Sequence, residues 1–139
     1  MLFFGYTHCP DFCPTTLVTL AAMEKQLLAS GAPMRPQVVF VSVDAARDTP
    51  EQLARYVANF DPAFIGLTAL DQPTIEAVAG QLGVMVVLNP KNADGSYAVD
   101  HSGAIFVLDP NGKEAAVLIG PFSPETLAAD FQRIVAART

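Results

Sequence analysis

The feature that most constrains the fold is an almost unbroken run of β-branched and aromatic residues, Val38-Val39-Phe40-Val41-Ser42-Val43-Asp44. A half-buried strand alternates apolar and polar residues, whereas a run like this one is typical of a strand covered on both faces. Such strands occur in sheets that have helices packed on both sides. The run therefore predicts an α/β fold built around a buried strand over 38–44.

Strand-like and helix-like patterns alternate along the rest of the 139-residue chain. Apolar spacing and capping residues predict helices near 14–30, 50–60, 73–82 and 124–138, and strands near 2–7, 65–70, 84–88, from 97, 103–108 and 115–119. Met85, inside one of these strands, is expected in the core. The element order predicts a central mixed sheet flanked by helices, in a single domain over residues 1–139.

Composition excludes several classes of protein. Apolar residues make up 51% of the chain and charged residues 16%, which favours a well-filled globular core over a disordered chain or a coiled coil. The net charge is −6, and the eight Lys and Arg residues are scattered, so no basic surface for nucleic acid or anionic lipid is expected. No apolar run reaches the roughly 18 residues that a membrane-spanning helix needs.

The strongest chemical motif is the segment that leaves the first strand, Tyr6-Thr7-His8-Cys9-Pro10-Asp11-Phe12-Cys13-Pro14. If Pro14 is the first helical residue, Cys13 is the N-cap, and the helix dipole favours its thiolate. The C-x-x-x-C spacing leaves room for both sulfurs to bind one metal ion. The same thiols could instead exchange disulfides, with Cys9 as the more exposed nucleophile. A purely structural role as two small apolar residues is disfavoured, because a proline follows each cysteine.

A third ligand would have to come from one of two histidines. His8 adjoins Cys9 on an extended segment, so its side chain is expected to point away as a capping or surface residue. His101 precedes a predicted strand, where a histidine taken in isolation is more often structural. Two sulfurs and one imidazole suit copper, whereas zinc would need a fourth ligand, and the carboxylates of Asp44 or Asp48 match a soft site poorly.

Asp44 and Asp48 follow the central strand, at the end of the sheet where sites gather in α/β folds. Two roles stay open for Asp44: it lies near the cysteines and tunes their pKa values, or it belongs to a turn. For Asp48 we favour turn and helix-cap chemistry together with Thr49, with Arg47 as a surface partner.

Three ordered motifs resemble the Sco/SenC family over essentially the whole chain. They are Phe3 to Leu17, which includes both cysteines; Val41 to Asp44 followed by Asp48-Thr49-Pro50; and Val99-Asp100-His101-Ser102 followed by Leu108-Asp109-Pro110-Asn111-Gly112. The resemblance implies a thioredoxin-like fold and one bound copper ion, Cu(I) or Cu(II). Carried over by position, the copper ligands are Cys9, Cys13 and His101, and Asp44 and Asp100 lie just outside them.

The resemblance also implies a function in assembling the binuclear copper centre of cytochrome c oxidase. The leading hypothesis is a metallochaperone that passes copper on by exchange of its Cys, Cys and His ligands. The alternative is a thiol-disulfide oxidoreductase that uses Cys9 and Cys13 to reduce the oxidase subunit or another partner, so whether the chain is an enzyme stays open. A peroxiredoxin-like peroxidase is disfavoured, because His8-Cys9 lacks the Thr/Ser-x-x-Cys pattern.

Partners and location follow from the same resemblance. The expected partners are the copper-site subunit of the oxidase and, as a further candidate, another copper chaperone. Family members are tethered by an N-terminal helix and face the bacterial periplasm or the mitochondrial intermembrane space. Since Met1 leads directly into the first predicted strand, we expect this chain to be soluble and to lack that anchor and the first strand or strands of the family fold.

Overall fold

A computed structural model describes residues 1–138. Thr139, the last residue of the predicted domain, lies outside the described residues. The predicted order of strands and helices is confirmed. The strands are β1 (Leu2–Gly5), β2 (Val39–Ser42), β3 (Ile65–Leu67), β4 (Val87–Leu88), β5 (Val99–Asp100), β6 (Ile105–Leu108) and β7 (Glu114–Leu118), and the helices are α1 (Phe12–Ala29), α2 (Pro50–Ala58), α3 (Gln72–Gln81) and α4 (Pro124–Ala137).

Five strands form one mixed sheet in the order β3-β2-β1-β6-β7. The strands β1, β2 and β3 are parallel, with Phe3 opposite Phe40 and Phe40 opposite Gly66. The strand β6 runs antiparallel to β1 and pairs with β7 as a hairpin. The central mixed sheet predicted from the element order is therefore confirmed, and β1, which leads into the cysteines, lies at its centre.

Both faces of the sheet are covered, which explains the continuous apolar runs. Phe3, Phe40 and Ile105 point to one face, where they pack with residues of α1, α2 and α4 such as Leu17, Leu53 and Leu127. Phe4, Val41 and Phe106 point to the other face, where they pack with Ile75 and Ala79 of α3 and with Val84 and Val99. Successive strand residues thus supply two separate cores.

The strands β4 and β5 form a separate two-stranded sheet, which we call the β4–β5 hairpin (residues 87–100). They are shorter than predicted, with Val87 opposite Asp100 and Leu88 opposite Val99. Val99 is buried in the second core. The prediction that Met85 belongs to the core is wrong, since 78% of its surface is exposed. The preceding Val84 fills the core position instead.

Helix starts follow the predicted capping chemistry at α2, but not at α1. Thr49 and Gln52 form the predicted capping box of α2. The helix α1 begins at Phe12 with Asp11 at the N-cap, two residues before the predicted start at Pro14. Pro14 fits the third helical position as well as the first, because none of the first four N–H groups has a partner within the helix. In residues 1–138, no helix has the length and apolarity required to span a membrane.

Candidate metal centre

The two thiols are free and lie in one turn at the start of α1. The backbone N–H of Cys9 donates to the carbonyl oxygen of Tyr6 (3.1 Å), which closes the turn after β1. The backbone N–H of Cys13 then donates to Sγ of Cys9 (3.5 Å). Cys9 is half-buried, whereas Cys13 is fully buried in the core below it. The turn therefore leaves the Cys9 sulfur accessible and keeps the Cys13 sulfur in the core.

Cys13, the second residue of α1, is held in place by close packing of the helix start against β1. A Cβ added to Gly5 would lie 2.7 Å from Sγ of Cys13 and 2.7 Å from the Phe40 ring, so the backbone of β1 approaches the sulfur as closely as only glycine allows. Burial is the main cause that raises the pKa of the Cys13 thiol, and the hydrogen bond that this thiol donates to Cys9 and the charges of Cys9 and Asp48 add to it. The prediction that the helix dipole favours a Cys13 thiolate is therefore wrong for the uncomplexed thiol.

Asp48 is a buried carboxylate that ties the start of the cysteine turn to β2. It accepts hydrogen bonds from the backbone N–H of Thr7 (3.2 Å) and from Oγ of Ser42 (2.7 Å). The predicted turn is present, since the backbone N–H of Asp48 donates to the carbonyl oxygen of Asp44 (3.0 Å). The helix-cap part of the prediction is wrong for Asp48, because the N-cap of α2 is Thr49. The sequence contains one signal for the role of Asp48. Ser42 places a hydroxyl inside the most apolar run of the chain, and a buried hydroxyl needs a hydrogen-bond partner.

Asp44 is equally buried, but its side-chain partners lie on the side of the β4–β5 hairpin. Its carboxylate accepts from Nε of Arg47 and from the hydroxyl of Tyr97 (2.8 Å). The expectation that Arg47 is a surface partner is wrong, since only 18% of its side chain is exposed. Of the two carboxylates, Asp48 and not Asp44 contributes to the raised pKa of Cys13.

His101 directly follows β5 and is held in one tautomer. Its Nδ1 lies 2.9 Å from the carbonyl oxygen of Ser102. A carbonyl can only accept, so Nδ1 carries the proton and Nε2 keeps a lone pair that can bind a metal. Burial is the main cause that lowers the pKa of the imidazole, which keeps it neutral at physiological pH.

His101 and Cys9 line the same cavity. It has a volume of about 430 Å³ and is also lined by Tyr6, Phe12 and Asp100. The Tyr6 ring stands edge-on to the His101 ring, with the centroids 6.0 Å apart. Asp100 is exposed, and its charge acts to raise the pKa of His101.

The structure brings these side chains into one neighbourhood without closing them into a cage. Within residues 1–138, no three His, Cys, Asp or Glu side chains lie close enough together to hold a metal ion. His8 lies on the surface, where Nδ1 is 3.2 Å from the Thr7 hydroxyl. The donor chemistry of Cys9, Cys13 and His101 fits copper, because two sulfurs and an unprotonated imidazole nitrogen are ligands that copper accepts in both oxidation states.

The five-stranded mixed sheet, with a thiol pair in the turn between its first strand and first helix, defines a thioredoxin-like protein. The family model described as SCO1/SenC matches residues 1–136. The chain belongs to the SCO1/SenC family.

Similar proteins come from a mammal, a plant and a bacterium. The chain is 42% identical over 112 residues to the mitochondrial protein SCO2 homolog of Bos taurus, a match that covers 81% of this chain and 42% of that protein. Its structure superposes on that of Arabidopsis thaliana ScoI with copper bound at a TM-score of 0.90 and 32% identity, covering 98% of this chain and 83% of the other. Bradyrhizobium japonicum ScoI with copper bound gives a TM-score of 0.80 and 34% identity, with 96% and 82% coverage.

Proposed function

We propose that this chain is a copper metallochaperone that holds one ion, as Cu(I) or Cu(II), with Cys9, Cys13 and His101. The observation that carries the proposal is the cavity shared by Cys9 and His101. In it, Sγ of Cys9 accepts a hydrogen bond from the backbone N–H of Cys13, and Nε2 of His101 is left unprotonated. Copper binding by the A. thaliana and B. japonicum relatives supports it.

Copper binding on these ligands is coupled to the loss of protons from the thiols. Because burial raises the pKa of Cys13, its proton leaves when the metal takes its place and not before. The imidazole needs no such step, since its lowered pKa keeps Nε2 available. Since no three donors are clustered in residues 1–138, coordination by all of them also requires His101 and the thiols to approach one another.

We further propose that copper leaves by ligand exchange toward the copper-site subunit of cytochrome c oxidase. An incoming thiolate or imidazole can reach Cys9 and His101 through the cavity, whereas Cys13 is buried. Cys9 and His101 are therefore exchanged first and Cys13 last. A second copper chaperone would load the site by the reverse order of exchanges.

We place this function outside the cytoplasm, in the bacterial periplasm or the mitochondrial intermembrane space. Similarity to mitochondrial SCO2 supports this location. Membrane attachment would come through an N-terminal anchor, as the family resemblance implies, and not through the described domain surface.

The test is an anaerobic titration of the reduced protein with Cu(II), read by stoichiometry and by the sulfur-to-copper charge-transfer absorption. We expect one equivalent to bind, and we expect His101→Ala to lose or shift the absorption because two thiolates alone hold Cu(I) but not Cu(II). His8→Ala is the matched control and should titrate like the unmodified protein. An unchanged spectrum in His101→Ala would show that His101 is not a ligand.

A second candidate function is reduction of partner disulfides, which the stacking of an accessible Cys9 over a buried Cys13 favours. The Cys9 thiolate attacks the partner disulfide, forms a mixed disulfide and releases one partner thiolate. Cys13 then loses its proton and attacks Sγ of Cys9, which releases the second partner thiolate and leaves a Cys9–Cys13 disulfide. The partner gains the two electrons that the thiol pair loses.

Trapping distinguishes this candidate from copper delivery. In Cys13→Ser the mixed disulfide cannot be resolved, so a disulfide-containing oxidase fragment should stay covalently attached through Cys9. The reciprocal variant Cys9→Ser should trap little, because Cys13 is buried. If neither variant forms an adduct while both lose copper binding, the metallochaperone function stands alone.

A further inference from the structure

Within residues 1–138, the strands of the hairpin that leads into His101 form no ladder with the five-stranded sheet. The strands β4 and β5 pair only with each other, over two residues each. An isolated two-stranded hairpin is marginal in water. The buried side chain of Val99 attaches this hairpin to the second core, but an apolar contact does not by itself fix a direction. The position of His101 therefore depends on what else holds the hairpin.

Beside a hydrogen bond between Tyr6 and the backbone of Val99, Arg47 supplies a set of directional contacts. Its guanidinium donates to the carbonyl oxygen of Tyr97 (2.8 Å) and lies 3.6 Å from the centroid of the Tyr97 ring. Its Nε donates to the buried carboxylate of Asp44, which also accepts the Tyr97 hydroxyl (2.8 Å). Asp44, Arg47 and Tyr97 thus form a closed triangle, and Tyr97 lies four residues before His101.

The same guanidinium also faces the cysteine side of the site. It lies 5.5 Å from the centroid of the Tyr6 ring. Tyr6 contacts His101 edge-on and accepts the backbone N–H of Cys9 through its carbonyl oxygen. Arg47 therefore lies between Tyr97, which anchors the hairpin, and Tyr6, which links Cys9 to His101.

We propose that Arg47 is a positioning residue that keeps the His101 imidazole beside Cys9 in the metal-free protein, a role whose consequence for copper rests on the function proposed above. Arginine suits this position because its planar fork can bond Asp44 and the Tyr97 carbonyl at once while stacking on a ring. Asp44 sets the orientation of the fork and gives the partly buried cation a partner. Lysine carries the charge but cannot make both bonds in one plane.

The first test measures position in the metal-free protein. In the unmodified protein, nuclear Overhauser contacts are expected between the Tyr6 and His101 rings. In Arg47→Met they should be lost, while the amide pattern of the five-stranded sheet is retained. Arg55→Met, which removes an exposed arginine of α2, is the matched control and should keep them. Persistence of the ring contacts in Arg47→Met would overturn the proposal, whatever copper does.

The second test measures the consequence by a double-mutant cycle on Cu(II) affinity. Supporting groups around metal ligands are worth about 10- to 100-fold in affinity, and Arg47→Met is expected to lose that much. In the His101→Ala background the same change should have little effect, because the residue it positions is gone. Equal losses in both backgrounds would overturn the proposal in favour of a general structural role.

Two milder variants keep the tests decisive if Arg47→Met folds poorly. Tyr97→Phe removes only the hydroxyl bond to Asp44, and Arg47→Lys keeps the charge. Both should weaken Cu(II) binding less than Arg47→Met does, and both should show the same dependence on His101. If the unmodified protein and His101→Ala bind Cu(II) alike, the ligand assignment fails, and the ring contacts still decide the positioning role of Arg47.

Discussion

The two halves of the candidate centre are held in different ways. The cysteine turn follows the central strand β1, leads into α1 and is tied to β2 through Asp48. The β4–β5 hairpin stands outside the main sheet. It is held by the packing of Val99 and Tyr97 on the second core, by the contacts among Asp44, Arg47 and Tyr97, and by a hydrogen bond between Tyr6 and the backbone of Val99. The sulfurs thus belong to the rigid core, and the imidazole belongs to an attached element.

This difference explains why the ligands can be neighbours without forming a closed cage. A buried Cys13 cannot move without disturbing Gly5 and Phe40. His101, at the end of a short hairpin, can move with far fewer lost contacts. A site that must accept and release an ion benefits from one fixed half and one adjustable half.

The largest expected contrast lies within the rigid half, between the two thiols. Each unit by which the pKa of a thiol is raised lowers the fraction present as reactive thiolate about tenfold. The pKa of Cys13 is raised, and its burial also blocks access of the reagent. We expect iodoacetamide to modify Cys9 on the order of a hundredfold faster than Cys13 in reduced, metal-free protein, measured by mass spectrometry of timed digests. In denaturing urea the two rates should converge. Similar rates in the native protein would contradict the burial of Cys13.

An effect of comparable size concerns the anchor of the hairpin. Removing one partner of a buried ion pair costs about 3–5 kcal/mol, and Asp44→Ala is expected at the lower end because Arg47 keeps some exposure. Urea unfolding measures the free energy. Asp130→Ala, which breaks the exposed pair with Arg133, is the control and should cost only about 0–1 kcal/mol. Equal losses would mean that the Asp44–Arg47 pair is no anchor.

A smaller effect is expected from crowding the cysteine turn. The variant Gly5→Ala places a Cβ against Sγ of Cys13 and the Phe40 ring, and overpacking of this kind costs about 1–3 kcal/mol. Gly80→Ala provides the comparison, since its Cβ would meet open space on α3 and should not destabilise the protein. Thermal unfolding reports both changes. A turn that tolerates Gly5→Ala without loss would be less rigid than its packing implies.

The smallest effect is the pH response of the hairpin half. Burial lowers the pKa of His101 below its usual 6.5. The folded protein therefore binds fewer protons than the unfolded chain as pH falls through 6.5, and stability falls with it until the folded pKa is passed. Proton NMR of the metal-free protein should give a His101 midpoint below 6.5. A midpoint above 6.5 would show a solvated or acid-paired imidazole.

Much of the fold could be predicted because local rules decide it. The apolar run of β2 requires cover on both faces, and Thr49 with Gln52 signals the start of α2. The start of α1 was misplaced because Pro14 is compatible with more than one position in the first turn. Local rules also could not show that Cys13 is buried, since that depends on how closely Gly5 of β1 approaches the start of α1.

The candidate centre was only partly predictable for a similar reason. The spacing of Cys9 and Cys13 marks a site by itself, but the assignment of both with His101 as copper ligands came from the family resemblance and stays a prediction. The roles of Asp48 and Arg47 depend on partners far along the chain, Thr7 and Tyr97, that no periodicity connects. A buried polar network is specified by tertiary structure and not by local pattern.

Residue-resolved hydrogen exchange, with and without one equivalent of Cu(I), tests the contrast between a fixed and an adjustable half most directly. We predict that amides of β1 and of α1 beyond its first turn are protected in both states, whereas those of the β4–β5 hairpin exchange faster without copper and gain protection with it. A hairpin that is equally protected in both states, or a copper-dependent change confined to the cysteine turn, would contradict this account.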